Sequence, residues 1–90
     1  MVKASVKVLN EAGLHARPAS ELVKVASKYK CDFNIHFYGY RVNGKSILGV
    51  LTLAAEHGSE LELEFDGEDE AEAKEAITEL FENKFNVVSN

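Results

Sequence analysis

The sequence contains one cysteine, one proline, one methionine and no tryptophan among its 90 residues. A single cysteine excludes an internal disulfide and fits a reducing compartment. No apolar run approaches the length that spans a bilayer, and no charged-then-apolar leader opens the sequence. We therefore expect one domain, residues 1–90, that works in the cytoplasm and not in a membrane.

Basic residues are scarce in the last third of the chain, and acidic residues are scarce in the first two thirds. Residues 1–59 carry eight Lys or Arg and four Asp or Glu. Residues 60–90 carry two Lys or Arg and eleven Asp or Glu. With a net charge of −5, the chain lacks the overall basic surface that nucleic-acid binding requires. Two interpretations remain open: the acidic segment is simply solvated, or the basic segment docks an acidic partner protein.

The hydrophobic periodicity predicts seven elements in the order β-α-β-β-α-β-α. Apolar and polar residues alternate over 2–8, 31–37, 40–42 and 60–65, which is typical of strands with one buried face. Helical spacing begins at Ala16 and recurs after residues 66–69, and a short apolar run follows Ser46. Lys84 suits the dipole at the end of the last helix. A sheet with one polar face needs helices on the other, so we predict an α+β open-faced β-sandwich.

One short stretch, residues 13–20, joins the first strand to the first helix. His15 falls where the backbone N–H groups of a helix start are unpaired, and Arg17 adds a fixed positive charge. Pro18 fits near a helix start because its missing N–H costs nothing there. A neutral ring nitrogen can attack phosphorus, and these donors would stabilise the anionic product. The alternative is a capping or surface histidine.

The segment after residue 45 is the second candidate site. Ser46 precedes an apolar run and fits a helix N-cap, a role that is compatible with phosphorylation. A short helix cannot bury Ile47, Leu48, Val50 and Leu51 together, so we expect an exposed apolar patch. In the first helix Arg17, Lys24 and Lys28 form a basic stripe, which is either a solvated face or a docking surface for an acidic partner.

The remaining reactive side chains do not form a pattern typical of a catalytic or metal site. Cys31 is in phase with buried strand positions, so we expect an inert buried thiol. Cys31, His36 and His57 lack metal-ligand spacing, and no nucleophilic triad or glycine-rich nucleotide loop is discernible. We expect no metal and no cofactor. A chain without a donor site of its own should receive a phosphoryl group from a partner and pass it on.

The stretches Gly13-Leu14-His15-Ala16-Arg17-Pro18-Ala19 and Lys45-Ser46-Ile47-Leu48-Gly49-Val50-Leu51-Thr52-Leu53 resemble the two signatures of the HPr family. These proteins are histidine-containing phosphocarriers of the bacterial phosphoenolpyruvate-dependent sugar phosphotransferase system. The resemblance implies an antiparallel sheet with the fourth strand beside the first, three helices on one face, and a monomer that is not an enzyme.

The resemblance also implies partners and residue roles. His15 would accept phosphate on Nδ1 from phosphorylated enzyme I and donate it to sugar-specific IIA domains, while Arg17 holds the phosphoryl group. Ser46 would be the site of an HPr kinase/phosphorylase, and its phosphorylated form would bind a catabolite-control repressor. The implied docking face comprises Arg17, Ser20, Lys24, Lys28, Ile47, Leu48 and Leu51.

The sequence departs from the family pattern at three positions. Ala12 stands where many members have a small polar residue, which removes one hydrogen bond near the site. Leu48 and Leu51 replace methionines and make the apolar face less adaptable. Two rival functions stay open: a regulatory paralogue in a nitrogen-related phosphotransfer chain, and a plain protein-binding module in which His15 and Ser46 are only caps.

Overall fold

The computed structural model of the chain describes residues 1–83 and residue 85. Within this range the elements follow the predicted order β-α-β-β-α-β-α. They are β1 (Val2–Lys7), α1 (Ala16–Ala26), β2 (Asp32–Phe37), β3 (Tyr40–Asn43), α2 (Ile47–Thr52), β4 (Glu60–Asp66) and α3 (Glu70–Glu82). Lys84, predicted to lie near the end of the last helix, is outside the described residues.

The four strands pair in an antiparallel sheet with the order β1-β4-β2-β3. On one side of β4, Val2 lies opposite Phe65 and Lys7 lies opposite Glu60. On its other side β4 pairs with β2, and Phe33 lies opposite Phe65. The antiparallel sheet with the fourth strand beside the first is therefore confirmed.

The two faces of the sheet differ because successive side chains of a strand point to opposite sides. Lys3, Ser5 and Glu62 are exposed on the open face. Phe33 and Phe65 stack at the centre of the covered face, with ring centroids 4.9 Å apart. Helix α3 packs on β1 and β4, α2 packs on β3, and α1 packs on the other two helices. This arrangement confirms the open-faced β-sandwich.

The helices bury the apolar faces that their periodicity predicts. Helix α1 buries Ala19 and Leu22, and α3 buries Ile77 and Phe81. Val50 is the buried residue of α2. None of the helices in the described part of the chain is long and apolar enough to cross a membrane.

The start of α3 is fastened to the connection between α1 and β2. The Asp69 carboxylate accepts hydrogen bonds from the backbone N–H of Lys30 at 2.8 Å and of Cys31 at 2.9 Å. These two bonds, led by the one from Lys30, hold the pKa of the Asp69 carboxyl below its usual value. The thiol of Cys31 is buried as predicted, and burial, followed by the hydrogen bond to Asp69, raises its pKa.

Candidate functional site

His15 is the residue that immediately precedes α1. Its backbone is extended, and its carbonyl accepts a hydrogen bond of 3.0 Å from the Ala19 N–H, which closes the first turn of the helix. The His15 side chain makes no capping hydrogen bond, and the residue is exposed. The imidazole is therefore accessible to a partner and is not committed to stabilising the helix start.

The first turn of α1 provides an anion-binding environment beside this imidazole. The N–H groups of Ala16 and Arg17 have no partner within the helix, because the first N–H groups of any helix lack one. The helix dipole adds partial positive charge at the same end, and no acidic residue lies in this turn. The Arg17 residue is exposed. A phosphoryl group on His15 would meet backbone donors and a guanidinium together.

The loop that precedes α1 is bound to the segment that follows α2. The N–H of Leu14 donates a hydrogen bond of 2.8 Å to the carbonyl of Ala55. Further back in the loop, Val8 N–H donates to the Ser59 carbonyl and Gly58 N–H donates to the Val8 carbonyl, each at 2.8 Å. Sequence reasoning missed this contact, since nothing in the local pattern links residues 14 and 55.

Ser46 is the N-cap of α2, as predicted. Its Oγ accepts a hydrogen bond of 3.1 Å from the Gly49 N–H, and its carbonyl accepts one of 2.9 Å from the Val50 N–H. The residue is half-buried. The hydroxyl thus lies at the start of a helix whose next residues are apolar.

The apolar patch expected on α2 is present. The exposed fraction is 79% for Leu48 and 42% for Ile47, while Leu51 is half-buried. Val50 is fully buried against the core and accounts for the face that the helix can bury. The exposed residues therefore form a surface that contributes little to folding of the chain.

The basic stripe of α1 is also exposed. Arg17, Ser20 and Lys24 lie on α1 and are exposed, and α1 packs directly against α2. Lys28, predicted to lie on the same helix face, is also exposed, but it belongs to the turn after the helix because α1 ends at Ala26. Apart from Lys28, the predicted docking residues therefore lie on two neighbouring helices, the first of which begins directly after His15. We define the docking face as Arg17, Ser20, Lys24 and Lys28 together with Ile47, Leu48 and Leu51.

The other reactive side chains lie elsewhere. His36 is on the open face of the sheet, where its Nε2 lies 3.6 Å from Glu64 Oε1, and Arg41 Nη2 lies 3.7 Å from the same oxygen. His57 is exposed in a turn. Over residues 1–83 and 85, no group of three or more His, Cys, Asp or Glu side chains is arranged to hold a metal ion.

An exposed histidine at a helix start, on a small open-faced sandwich with a basic and apolar face, is the arrangement that the sequence analysis predicts for a phosphocarrier protein. The family described as the PTS HPr component phosphorylation site matches residues 2–83. The chain belongs to this HPr family, which serves the phosphotransferase system. The resemblance seen in the two sequence signatures is thereby confirmed.

Individual relatives agree along nearly the whole chain. The phosphocarrier protein HPr of Treponema pallidum is 51% identical over 85 residues, which cover 94% of this chain and 97% of that protein. The crystal structure of HPr from Thermoanaerobacter tengcongensis superimposes with a TM-score of 0.93 at 36% identity, covering 98% of this chain and 99% of that one. The Bacillus subtilis protein Crh, described as a dimer with a swapped domain, has a TM-score of 0.75 at 38% identity and covers 93% and 97%.

Proposed function

We propose that His15 accepts a phosphoryl group from phosphorylated enzyme I and donates it to sugar-specific IIA domains in the cytoplasm. The observation that supports this most strongly is the exposed His15 imidazole, free of any capping role, at the start of α1. Partial positive charge at a helix start and the nearby Arg17 suit a phosphoryl anion. The role of this chain is therefore to hold the group between two encounters.

The transfer step conserves atoms and electrons without a cofactor. The lone pair of His15 Nδ1 forms a bond to phosphorus, while the bond between phosphorus and the donor atom of enzyme I breaks and its electron pair returns to the donor. The IIA domain then takes the group by the same exchange. Arg17 and the N–H groups of α1 stabilise the phosphoryl oxygens throughout.

The test is phosphorylation with phosphoenolpyruvate and enzyme I. The chain should gain one acid-labile phosphate, and His15→Ala should gain none. His57→Ala is the matched control, because it removes an exposed histidine from a turn outside the docking face. Labelling of His15→Ala, or no labelling of the unmodified chain, would refute the proposal.

The downstream acceptor separates the sugar branch from the nitrogen branch. We expect faster transfer to a sugar-specific IIA domain than to a nitrogen-type IIA domain at equal concentrations. The reverse preference would favour the regulatory paralogue. A chain that binds enzyme I but never carries phosphate would favour the plain binding module.

We infer that the docking face binds both the donor and the acceptor. Arg17, Lys24 and Lys28 supply positive charge, and the chain around them has an excess of basic residues that suits acidic partners. Leu48 supplies an exposed apolar residue of the type that anchors interfaces. One shared face also explains how a single histidine serves two proteins in turn.

We further propose that an HPr kinase/phosphorylase modifies Ser46 with ATP and that the product binds a catabolite-control repressor. Ser46 Oγ belongs to the N-cap of α2 and precedes the exposed Ile47 and Leu48. A phosphate there adds nearly two negative charges to a face suited to acidic partners, so docking of enzyme I should weaken.

Two measurements test the role of Ser46. The kinase and ATP should label the unmodified chain and Ser27→Ala but not Ser46→Ala. Ser27 is an exposed serine at the far end of α1 and serves as the control. Ser46→Asp should raise the concentration for half-maximal phosphorylation by enzyme I. Labelling of Ser46→Ala, or unchanged docking of Ser46→Asp, would contradict the proposal.

We propose that the chain works as a monomer. In the structure β1 pairs with β4 of the same chain along six residue pairs, so no strand must come from a second copy to complete the sheet. Light scattering after size-exclusion chromatography should give the mass of one chain. A mass of two chains would contradict the proposal.

A further inference from the structure

We propose that Gly13 and the carbonyl of Ala55 form a positioning contact that sets where His15 stands relative to its phosphoryl donor. The proposal rests on the phosphorylation of His15 proposed above. It concerns the backbone on the N-terminal side of the histidine, whereas Arg17 and the helix N–H groups lie on the other side. We call residues 13, 14 and 55 the positioning contact.

The geometry leaves no room for a side chain at residue 13. Gly13 has a φ of +77°, in the left-handed region that favours glycine. A Cβ built there would lie 2.6 Å from the Ala55 carbonyl oxygen and 3.0 Å from Glu56 Cα. Both opposing atoms belong to backbone, so neither can rotate away. Any larger residue must push the two segments apart.

Leu14 converts this close approach into a fixed position. Its N–H donates the 2.8 Å hydrogen bond to Ala55, and only 3% of the residue is exposed. Ala55 is buried as well, with 4% exposed. The residue directly before His15 is thus held by its backbone on one side and by its side chain in the core.

Phosphoryl transfer requires the reacting nitrogen of His15 to be held in a fixed position. The His15 imidazole makes no capping hydrogen bond, so its place is determined by the backbone that carries it. Misplacement of a reacting group by about 1 Å can reduce a transfer rate on the order of 100-fold. Separation of Gly13 from Ala55 would move the backbone of Leu14 and His15 directly.

Gly13→Ala tests the contact, and Gly39→Ala is the matched control. Both glycines have a positive φ, +77° and +82°, so both variants bear the same backbone strain. Only Gly13 has atoms within 4 Å of the added Cβ, because Gly39 lies in open space at the tip of the β2–β3 hairpin. The difference between the two variants therefore isolates the contact with Ala55.

The measurement is rapid-quench phosphorylation by phosphorylated enzyme I over a range of carrier concentrations. For Gly13→Ala we expect a saturating rate constant at least about tenfold lower and a half-saturation concentration within about twofold of the unmodified chain. Gly39→Ala should keep both values. Hydrogen exchange should show lost protection of the Leu14 N–H and retained protection in α3.

Equal rates for Gly13→Ala and Gly39→Ala would overturn the proposal, as would a change confined to the half-saturation concentration. If Gly13→Ala does not fold, a semisynthetic chain with an ester in place of the Leu14 amide provides the second test. The ester removes the hydrogen-bond donor to Ala55 without adding bulk. An unchanged saturating rate constant in this chain would overturn the proposal. Failure of the unmodified chain to accept phosphate would refute the proposed function itself, which is a different result.

Discussion

The Nζ of Lys45 donates a hydrogen bond of 2.7 Å to the backbone carbonyl of Tyr29. This bond joins the start of α2 to the chain just beyond the end of α1. The bond from Leu14 to Ala55 joins the opposite ends of the same two helices. Helices α1 and α2 therefore run antiparallel, and His15 and Ser46 lie at opposite ends of α2, whose six residues span about 9 Å.

Removal of the ammonium group of Lys45 should loosen this pair of helices. For Lys45→Met we expect the free energy of unfolding to fall by about 1–2 kcal/mol, because a half-buried carbonyl loses a charged donor. Urea denaturation followed by circular dichroism measures the change. Lys30→Met removes the same charge from a side chain that is 84% exposed, and it should alter stability by less than about 0.5 kcal/mol. Equal effects of the two variants would show that charge alone matters.

Acid should weaken the contact that Asp69 makes with Lys30 and Cys31. The folded chain holds the pKa of this carboxyl below its ordinary value of 3.8, so the ionised form stabilises the fold at neutral pH. That contribution is complete well above pH 3.8 and is lost as the pH falls through the lowered folded value. Stability should therefore decline as the pH falls into this acid range.

Asp69→Asn checks this dependence by thermal unfolding between pH 7 and pH 2. The variant should have a lower Tm than the unmodified chain at pH 7, and the difference should shrink as the pH falls. Glu68→Gln is the control, since the Glu68 side chain is 80% exposed and its Oε1 lies 4.0 Å from the Lys30 Nζ. A difference in Tm that stays constant with pH would contradict the assignment.

Local chemistry is the part of the molecule that the sequence predicts well. The alternation of residues 2–8 and the helical spacing of Ala19 and Leu22 are direct consequences of burial on one face, so the elements follow from them. The N-cap role of Ser46 depends on residues within three positions and was predicted for the same reason.

Contacts between distant backbone segments are the part that the sequence does not reveal. Asp69 stands in the stretch that precedes the last predicted helix, yet its carboxylate accepts hydrogen bonds from residues 38 and 39 positions away. The pairing of Leu14 with Ala55 is equally invisible, because a carbonyl acceptor has no residue-specific signature. His15 and Arg17 were predicted as site residues from their types, whereas the backbone contacts that hold the loop before α1 became apparent only in the fold.

Leu48 should be the main apolar anchor of the docking face. Because 79% of the residue is exposed, Leu48→Ser should leave the unfolding free energy within about 0.5 kcal/mol. The half-saturation concentration for enzyme I should rise about tenfold, equivalent to about 1.4 kcal/mol of docking free energy. Tyr38 is 87% exposed on the β2–β3 hairpin, and Tyr38→Ser should not change the half-saturation concentration for enzyme I. An equal loss in both variants would exclude a localised docking face.

Ala54 provides a test of backbone strain next to the positioning contact. Its φ of 49° places a residue with a Cβ in the left-handed region, which ordinarily disfavours alanine relative to glycine. Ala54→Gly should relieve this strain, although glycine also gains freedom in the unfolded chain, which lowers stability. We expect a net rise in the free energy of unfolding of about 0.5–1 kcal/mol.

Ala76→Gly, in the middle of α3, should have the opposite sign and lower the free energy of unfolding by about 1 kcal/mol. The two variants make the same chemical change, so opposite signs would reflect the different backbone conformations at the two positions. Urea denaturation at pH 7 compares them directly. Destabilisation by Ala54→Gly would mean that the alanine methyl group stabilises the fold by more than the backbone strain at residue 54 destabilises it. Phosphorylation by enzyme I should proceed at the unmodified rate in Ala54→Gly, because the Ala55 carbonyl keeps its bond to Leu14.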